Sequence, residues 1–157
     1  MRKAGALSLG QGVWAVPDLP AFAAGVERAV ELAGRADGDA TVLEAAGRSL
    51  ADAARFESLF NAARQADWAE LMADCGKFEA EVAREIRIEK FTLAELEEEE
   101  QSLERLRRWH RDLTVRDVFG TPEAGRASAR LKECVAVCED YAERVFRALH
   151  ETVGDKR

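Results

Sequence analysis

Between residues 48 and 119 the chain contains a single glycine, Gly76, and no proline. Those are the two residues that carry a large intrinsic cost inside a helix, so nothing over this span forces the backbone out of one for long. The remaining composition pushes the same way. The 157 residues include 29 Ala and 18 Arg against only 5 Lys, and Ala and Arg stand near the top of the helix-propensity order.

Seven of the 11 glycines fall at or before Gly47, and there the pattern changes. Ala6-Leu7-Ser8-Leu9, Gly10-Gln11-Gly12 and Val13-Trp14-Ala15-Val16 predict two short strands about a tight glycine turn, with Pro17 ending the second. Asp18 is the expected N-cap of an amphipathic helix to about Ala33, with Phe22, Val26, Val30 and Ala33 inward and Gly34 as its left-handed C-terminal residue. Asp37-Gly38-Asp39 is turn chemistry, and the β-branched run 40–45 predicts a third strand.

From Ser49 onward the pattern predicts four helices. The first ends near Gln65, and Asp67-Trp68-Ala69-Glu70, a capping-box pattern, starts the second, with Trp68, Leu71, Cys75, Phe78 and Val82 as its stripe. Thr92 with Glu95 opens the third, Phe91 being placed to staple onto Leu96; its stripe is Leu96, Leu103, Leu106, His110 and Leu113. Thr121-Pro122 opens the fourth, with the stripe Leu131, Cys134, Cys138, Tyr141, Val145 and Leu149. Helices with one apolar face each and short loops pack antiparallel. The expected fold is therefore α+β and predominantly helical: one domain over 1–157, with a small α/β part (1–47, a hairpin plus a third strand with an open edge) and a helical part (48–157).

No stretch approaches 18 consecutive apolar residues, and the basic start Arg2-Lys3 is followed by too little apolar sequence for a signal peptide, so a cytoplasmic chain without membrane contact is expected. A net charge of -7 argues against general binding of a phosphate backbone, which needs a basic face. Any DNA contact must come from a local patch.

Cys134 and Cys138 are one helical turn apart, a spacing at which two thiolates can share an ion. All three cysteines and His110 nevertheless fall on apolar stripes, where free Cys packs as a small hydrophobe, so no metal is expected. The run Glu95, Glu97, Glu98, Glu99 and Glu100 lacks the Glu-x-x-His pairs of a di-iron bundle and reads mostly as a solvated helix start matched to the helix dipole. The best candidate for a site is basic. Arg105, Arg107, Arg108, Arg111 and Arg116 lie within 12 residues against the single acid Asp112, a local charge of +4. Guanidinium forks bind tetrahedral oxyanions bidentately, while the alternative is a surface row paired with neighbouring glutamates. No phosphate loop, H-E-x-x-H or nucleophile elbow occurs, so neither an enzyme nor a cofactor is expected.

The hairpin 5–17, the run Phe91-Thr92-Leu93-Ala94-Glu95-Leu96-Glu97, the segment Leu103-Glu104-Arg105-Leu106-Arg107-Arg108-Trp109, and Arg116-Asp117-Val118-Phe119-Gly120 together resemble the N-terminal domain of ChrB-type chromate-resistance proteins, over roughly residues 1–149. The resemblance implies a chromate-responsive regulator of efflux genes, with an apolar strand and basic helix ahead of the point where this chain starts and a second domain after it. Of that basic region only Arg2 and Lys3 are present, as DNA-binding candidates. The missing strand would leave a sheet edge open to homo-oligomers or a partner domain. Arg107, Arg108, Arg111 and Arg116 are the residues expected to hold the chromate dianion. The alternative functions are a thiol or metal-binding stress protein using Cys75, Cys134 and Cys138, or a ligand-free interaction module.

Overall fold

The glycine- and proline-poor span folds almost entirely as two helices. A computed structural model describes residue 1 and residues 4–154. Its elements are β1 (Leu7–Gly10), β2 (Val13–Ala15), α1 (Pro20–Arg35), α2 (Leu50–Arg87), α3 (Leu93–Arg116) and α4 (Pro122–Gly154). The chain is thus predominantly helical with a small antiparallel sheet at its start.

The hairpin forms where expected. Leu7 pairs with Ala15 and Ser8 with Trp14, and an irregularity between Ser8 and Gly10 shifts the register. The turn needs three successive residues with positive φ, Gly10 (95°), Gln11 (50°) and Gly12 (80°), which the two glycines adopt without steric cost. The third strand is a correction: residues 40–45 are irregular, and the described sheet has two strands. A β-branched run gains little from its propensity without a ladder partner or a packed face, and here Val42 and Leu43 are exposed, Leu43 at 82%.

Helix boundaries bring three further corrections. α1 starts with Pro20 at its first turn after Leu19, not on an Asp18 cap. Its end is a Schellman closure, with the Gly38 N–H donating to the Ala33 carbonyl (2.9 Å) and that of Asp37 to Gly34 (3.2 Å). The left-handed residue is therefore Asp37 (φ 54°), not Gly34. Finally, α2 runs unbroken through Asp67, so three helices follow Ser49 rather than four. The segment before Asp67 is rich in Ala and Arg, and the stripe Phe60, Arg64, Trp68, Leu71 continues through it without changing face. A capping box adds little where the preceding turn is already helical. The true start of α2 carries a reciprocal box: the Ser49 N–H donates to the Asp52 carboxylate (3.1 Å) and the Asp52 N–H to Ser49 Oγ (3.2 Å).

The chain divides into two compact units. The first comprises residues 1–66 and 113–121. Its core is Ala6, Phe22, Phe60 and Leu113, with the Phe60 ring meeting Phe22 and Phe119 edge-on at 5.6 and 5.7 Å. Arg64 is only 4% exposed; its guanidinium lies 4.7 Å from the centre of the Phe60 ring and donates to the Gly5 carbonyl at 2.8 Å. Thr121 closes this unit, its N–H and its hydroxyl both donating to the Asp117 carboxylate.

The second unit comprises residues 67–112 and 122–157. Contacts at both ends define its helix directions. Trp68 stacks at a tilt on His110, which bonds to Ser128, whereas Lys90 pairs with Glu95 and its carbonyl accepts from the Tyr141 hydroxyl at 2.6 Å. α3 is therefore antiparallel to the segments of α2 and α4 within this unit, as short connections require. The stripe Trp68, Leu71, Cys75, Phe78 and Val82 is buried throughout, as are Leu96, Leu103 and Leu106, and Cys134, Cys138, Tyr141 and Val145. Each large apolar side chain so buried contributes about 1.5–3 kcal/mol relative to exposure.

Candidate functional site

The arginine row lies on the surface of α3. Arg105, Arg107, Arg108 and Arg111 are exposed and belong to the second unit, while Arg116 is half-buried in the first. Arg111 reaches back two turns to donate to Glu104 at 2.9 Å. That contact, with Arg107 and Arg108 adding to it, holds the Glu104 carboxyl below the usual range. Among the described residues neither Arg107 nor Arg108 has an ion-pair partner. In the first unit, Arg116 lies alongside Gly5, where a Cβ would meet its Cδ at 2.9 Å. Arg2 and Lys3 lie outside the described residues.

The cysteines are core residues. All three are free and buried, and burial pushes each thiol pKa above its ordinary value. The Cys134 thiol donates to the Cys75 carbonyl and to Glu79, both at 3.6 Å, and Glu79 is itself tied to Arg130 at 2.6 Å. A reactive thiol needs the opposite: exposure and a stabilised thiolate. His110, lowered by burial, sits between Trp68 and Ser128. Among the described residues no three Cys, His, Asp or Glu side chains converge closely enough to hold a metal ion, and no helix is long and apolar enough to cross a membrane.

An unforeseen feature lies within the second unit. The C-terminal half of α2 and the N-terminal half of α3 enclose a cleft of about 500 Å³ lined by Asp74, Glu81, Glu85, Glu95, Glu98 and Glu99. Four cations also line it, and three are committed: Lys77 to Asp74 at 2.7 Å, Arg84 to Glu81 and to Glu85, and Lys90 to Glu95. Two carboxylates form its deep wall. Glu85 is 1% exposed; its Oε1 accepts from Arg84 at 2.8 Å, whereas Oε2 makes no hydrogen bond and has Lys90 Nζ at 3.8 Å. Glu99 is 7% exposed, and among the described residues it has neither a hydrogen-bond nor an ion-pair partner. Burial, then the carboxylates of Glu81, Glu85, Glu95 and Glu98, push its pKa up to about 7.

With this geometry in hand, comparison with protein families gives one assignment. The family model described as protein ChrB, N-terminal, matches residues 1–152. The chain belongs to that family. Membership makes this a protein related to chromate resistance. Comparisons with curated proteins and with solved structures gave no match.

In this ChrB N-terminal chain the expected oxyanion residues thus divide between an exposed row, Arg107, Arg108 and Arg111, and Arg116 of the other unit. The cleft was legible only indirectly. Glu85 follows Val82 by three residues, and Glu99 falls between Leu96 and Leu103 at spacings of three and four. Both glutamates occupy core positions of their helices, and a carboxylate in a core position is the signal that marks them. Read as part of a five-glutamate run, Glu99 passes for a solvated helix start, whereas the fold buries it.

Proposed function

We propose that this ChrB N-terminal chain takes part in chromate-responsive control of transcription, as a binding protein without catalytic activity of its own. The observation that carries this reading is the family match over residues 1–152. The arginine row supports a sensing role: among the described residues no carboxylate is bonded to the forks of Arg107 and Arg108, and Arg111, one turn from Arg107, can exchange Glu104 for an incoming dianion. Chromate is the ligand assigned to this row, and DNA is the assigned macromolecular partner, reached through a local basic patch. Arg2 and Lys3 remain candidates for that patch. The outer edges of the two-stranded sheet, where Leu9 and Val13 are exposed, are the surface assigned to pairing with a second copy. Buried, protonated thiols weigh against the thiol-based alternative.

Calorimetric titration with chromate, and with sulfate as competitor, tests the site. Saturable binding that falls at least tenfold in the Arg107→Ala, Arg108→Ala double variant is expected; absence of saturable heat, or an affinity unchanged by the double substitution, refutes it. A gel shift on the protein's own upstream DNA at two salt concentrations tests regulation. Retardation lost equally to any competitor sequence would show only nonspecific contact.

A further inference from the structure

We propose that the acidic cleft of the second unit binds an organic cation, an alkylammonium or guanidinium group, with Glu99 and Glu85 as its anionic contacts. Six carboxylates and four cations line the cleft, leaving a formal charge of -2; among the described residues the lining acids without an ion-pair partner are Glu98, which is exposed, and Glu99, which is buried. Asp74, Glu81, Glu85 and Glu95 each have a cation of this chain beside them. Glu99 has none among the described residues, although it is more than nine-tenths buried, and Glu85 Oε2 makes no hydrogen bond. Burying a carboxylate without a partner, as at Glu99, is costly, and an apolar residue at either position would have completed the stripe of its helix. A ligand that supplies donors to both carboxylates accounts for their presence.

The class of ligand follows from the walls. Among the described residues no three carboxylates converge on a point that could hold a metal ion, whereas a guanidinium or an ammonium carries several donors that can reach carboxylates set apart. Phe78 and Leu106, both buried, also line the cleft, offering an apolar wall to a short hydrocarbon stem. A volume of about 500 Å³ falls in the range of small-molecule sites. Binding is linked to a proton, because the bound cation favours the ionised form of Glu99. Burial and then Glu81, Glu85, Glu95 and Glu98 disfavour that ionised form; Arg84 and Lys90 pair with Glu81, Glu85 and Glu95, and from α4 the groups that feel its charge are Cys138 and Tyr141, both raised in part by Glu99.

The test is titration of the ¹⁵N-labelled full chain, followed by amide shifts and by calorimetry, with three probes: agmatine, putrescine and a blocked Gly-Arg-Gly peptide. NaCl and MgCl₂ at matched ionic strength serve as controls. Saturable shifts centred on Glu85, Glu99 and Ser102 are expected, tighter at pH 8 than at pH 6, with proton release near pH 6.5 detected by comparing buffers of different ionisation enthalpy. Glu99→Gln should weaken binding at least tenfold and abolish the proton release. Ser102→Lys, which tethers an ammonium one turn from Glu98 and Glu99, should block the site whether or not the glutamine variant folds. Binding of the peptide alone would identify a partner's side chain as the source of the cation, and binding of agmatine or putrescine alone a free small molecule. Shifts that fail to saturate, that the salt controls reproduce, or that survive both substitutions overturn the proposal.

Discussion

Replacing Glu99 by glutamine should stabilise the protein at pH 8 and leave its stability nearly unchanged at pH 4.5. The folded chain holds this carboxyl at about 7 against an ordinary value of 4.5. Between those values the folded state keeps a proton that the unfolded state has lost, so stability falls as pH rises through the window and levels off above about 7. Glutamine does not titrate, and it preserves the shape and one acceptor. At about 1.36 kcal/mol per unit, the shift corresponds to a ceiling of about 3 kcal/mol. The carboxylate lines an open cleft, where screening reduces the figure, so about 1–2 kcal/mol is expected. Urea unfolding followed by the fluorescence of Trp68 and Trp109, in a Trp14→Phe background that leaves only reporters of the second unit, measures the difference directly. Every other titrating group, including His110 with its lowered pKa, is common to both proteins and cancels. Raising the salt concentration should shrink the pH 8 gain, since four neighbouring carboxylates supply part of the shift. A gain of the same size at both pH values, or a loss at pH 8, would refute the reasoning, because either would mean that the ionised carboxylate is not what the substitution removes.

Two further substitutions test the packing of each unit. Gly5→Ala should cost about 1–3 kcal/mol: its φ of 79° is left-handed, and a Cβ would lie 2.6 Å from the buried Arg64 Nη1 that bonds to the Gly5 carbonyl. Chemical denaturation monitored at Trp14 reads this, and a stability within error of wild type would show that Arg64 moves aside freely. Tyr141→Phe should cost about 1–2 kcal/mol, because the Lys90 carbonyl loses the hydroxyl that donates to it at 2.6 Å. Faster amide exchange at the residues closing α2 is the accompanying signature, and unchanged exchange there would place the hydroxyl outside the closure of that helix.

What was legible in the sequence was whatever depended on period. The apolar stripes of Trp68 to Val82 and Cys134 to Val145 are continuous at three- and four-residue spacing, and every member named between those limits is buried. What depended on competition between neighbours was not legible. The pattern at Asp67 is a valid helix start that loses to a helix already running through it. Residues 40–45 have strand propensity and no ladder to join, and the left-handed position after α1 falls to Asp37, although Gly34 is the residue that would adopt it at least cost. The candidate site follows the same division. Local charge density singled out the arginine row from composition alone, yet where each arginine goes depends on Glu104 and on the unit to which it belongs. The cleft needed a different question of the same pattern. Arg64 sits between Phe60 and Trp68, Glu85 after Val82, and Glu99 between Leu96 and Leu103, each a charged residue on a buried stripe. Arg64 is explained inside the fold by the Gly5 carbonyl and the Phe60 ring. Glu85 is held by Arg84 and Lys90 with its Oε2 making no hydrogen bond among the described residues, and Glu99 has no partner among them; it is this buried carboxylate without a partner, rather than the length of the acidic run, that points to a ligand.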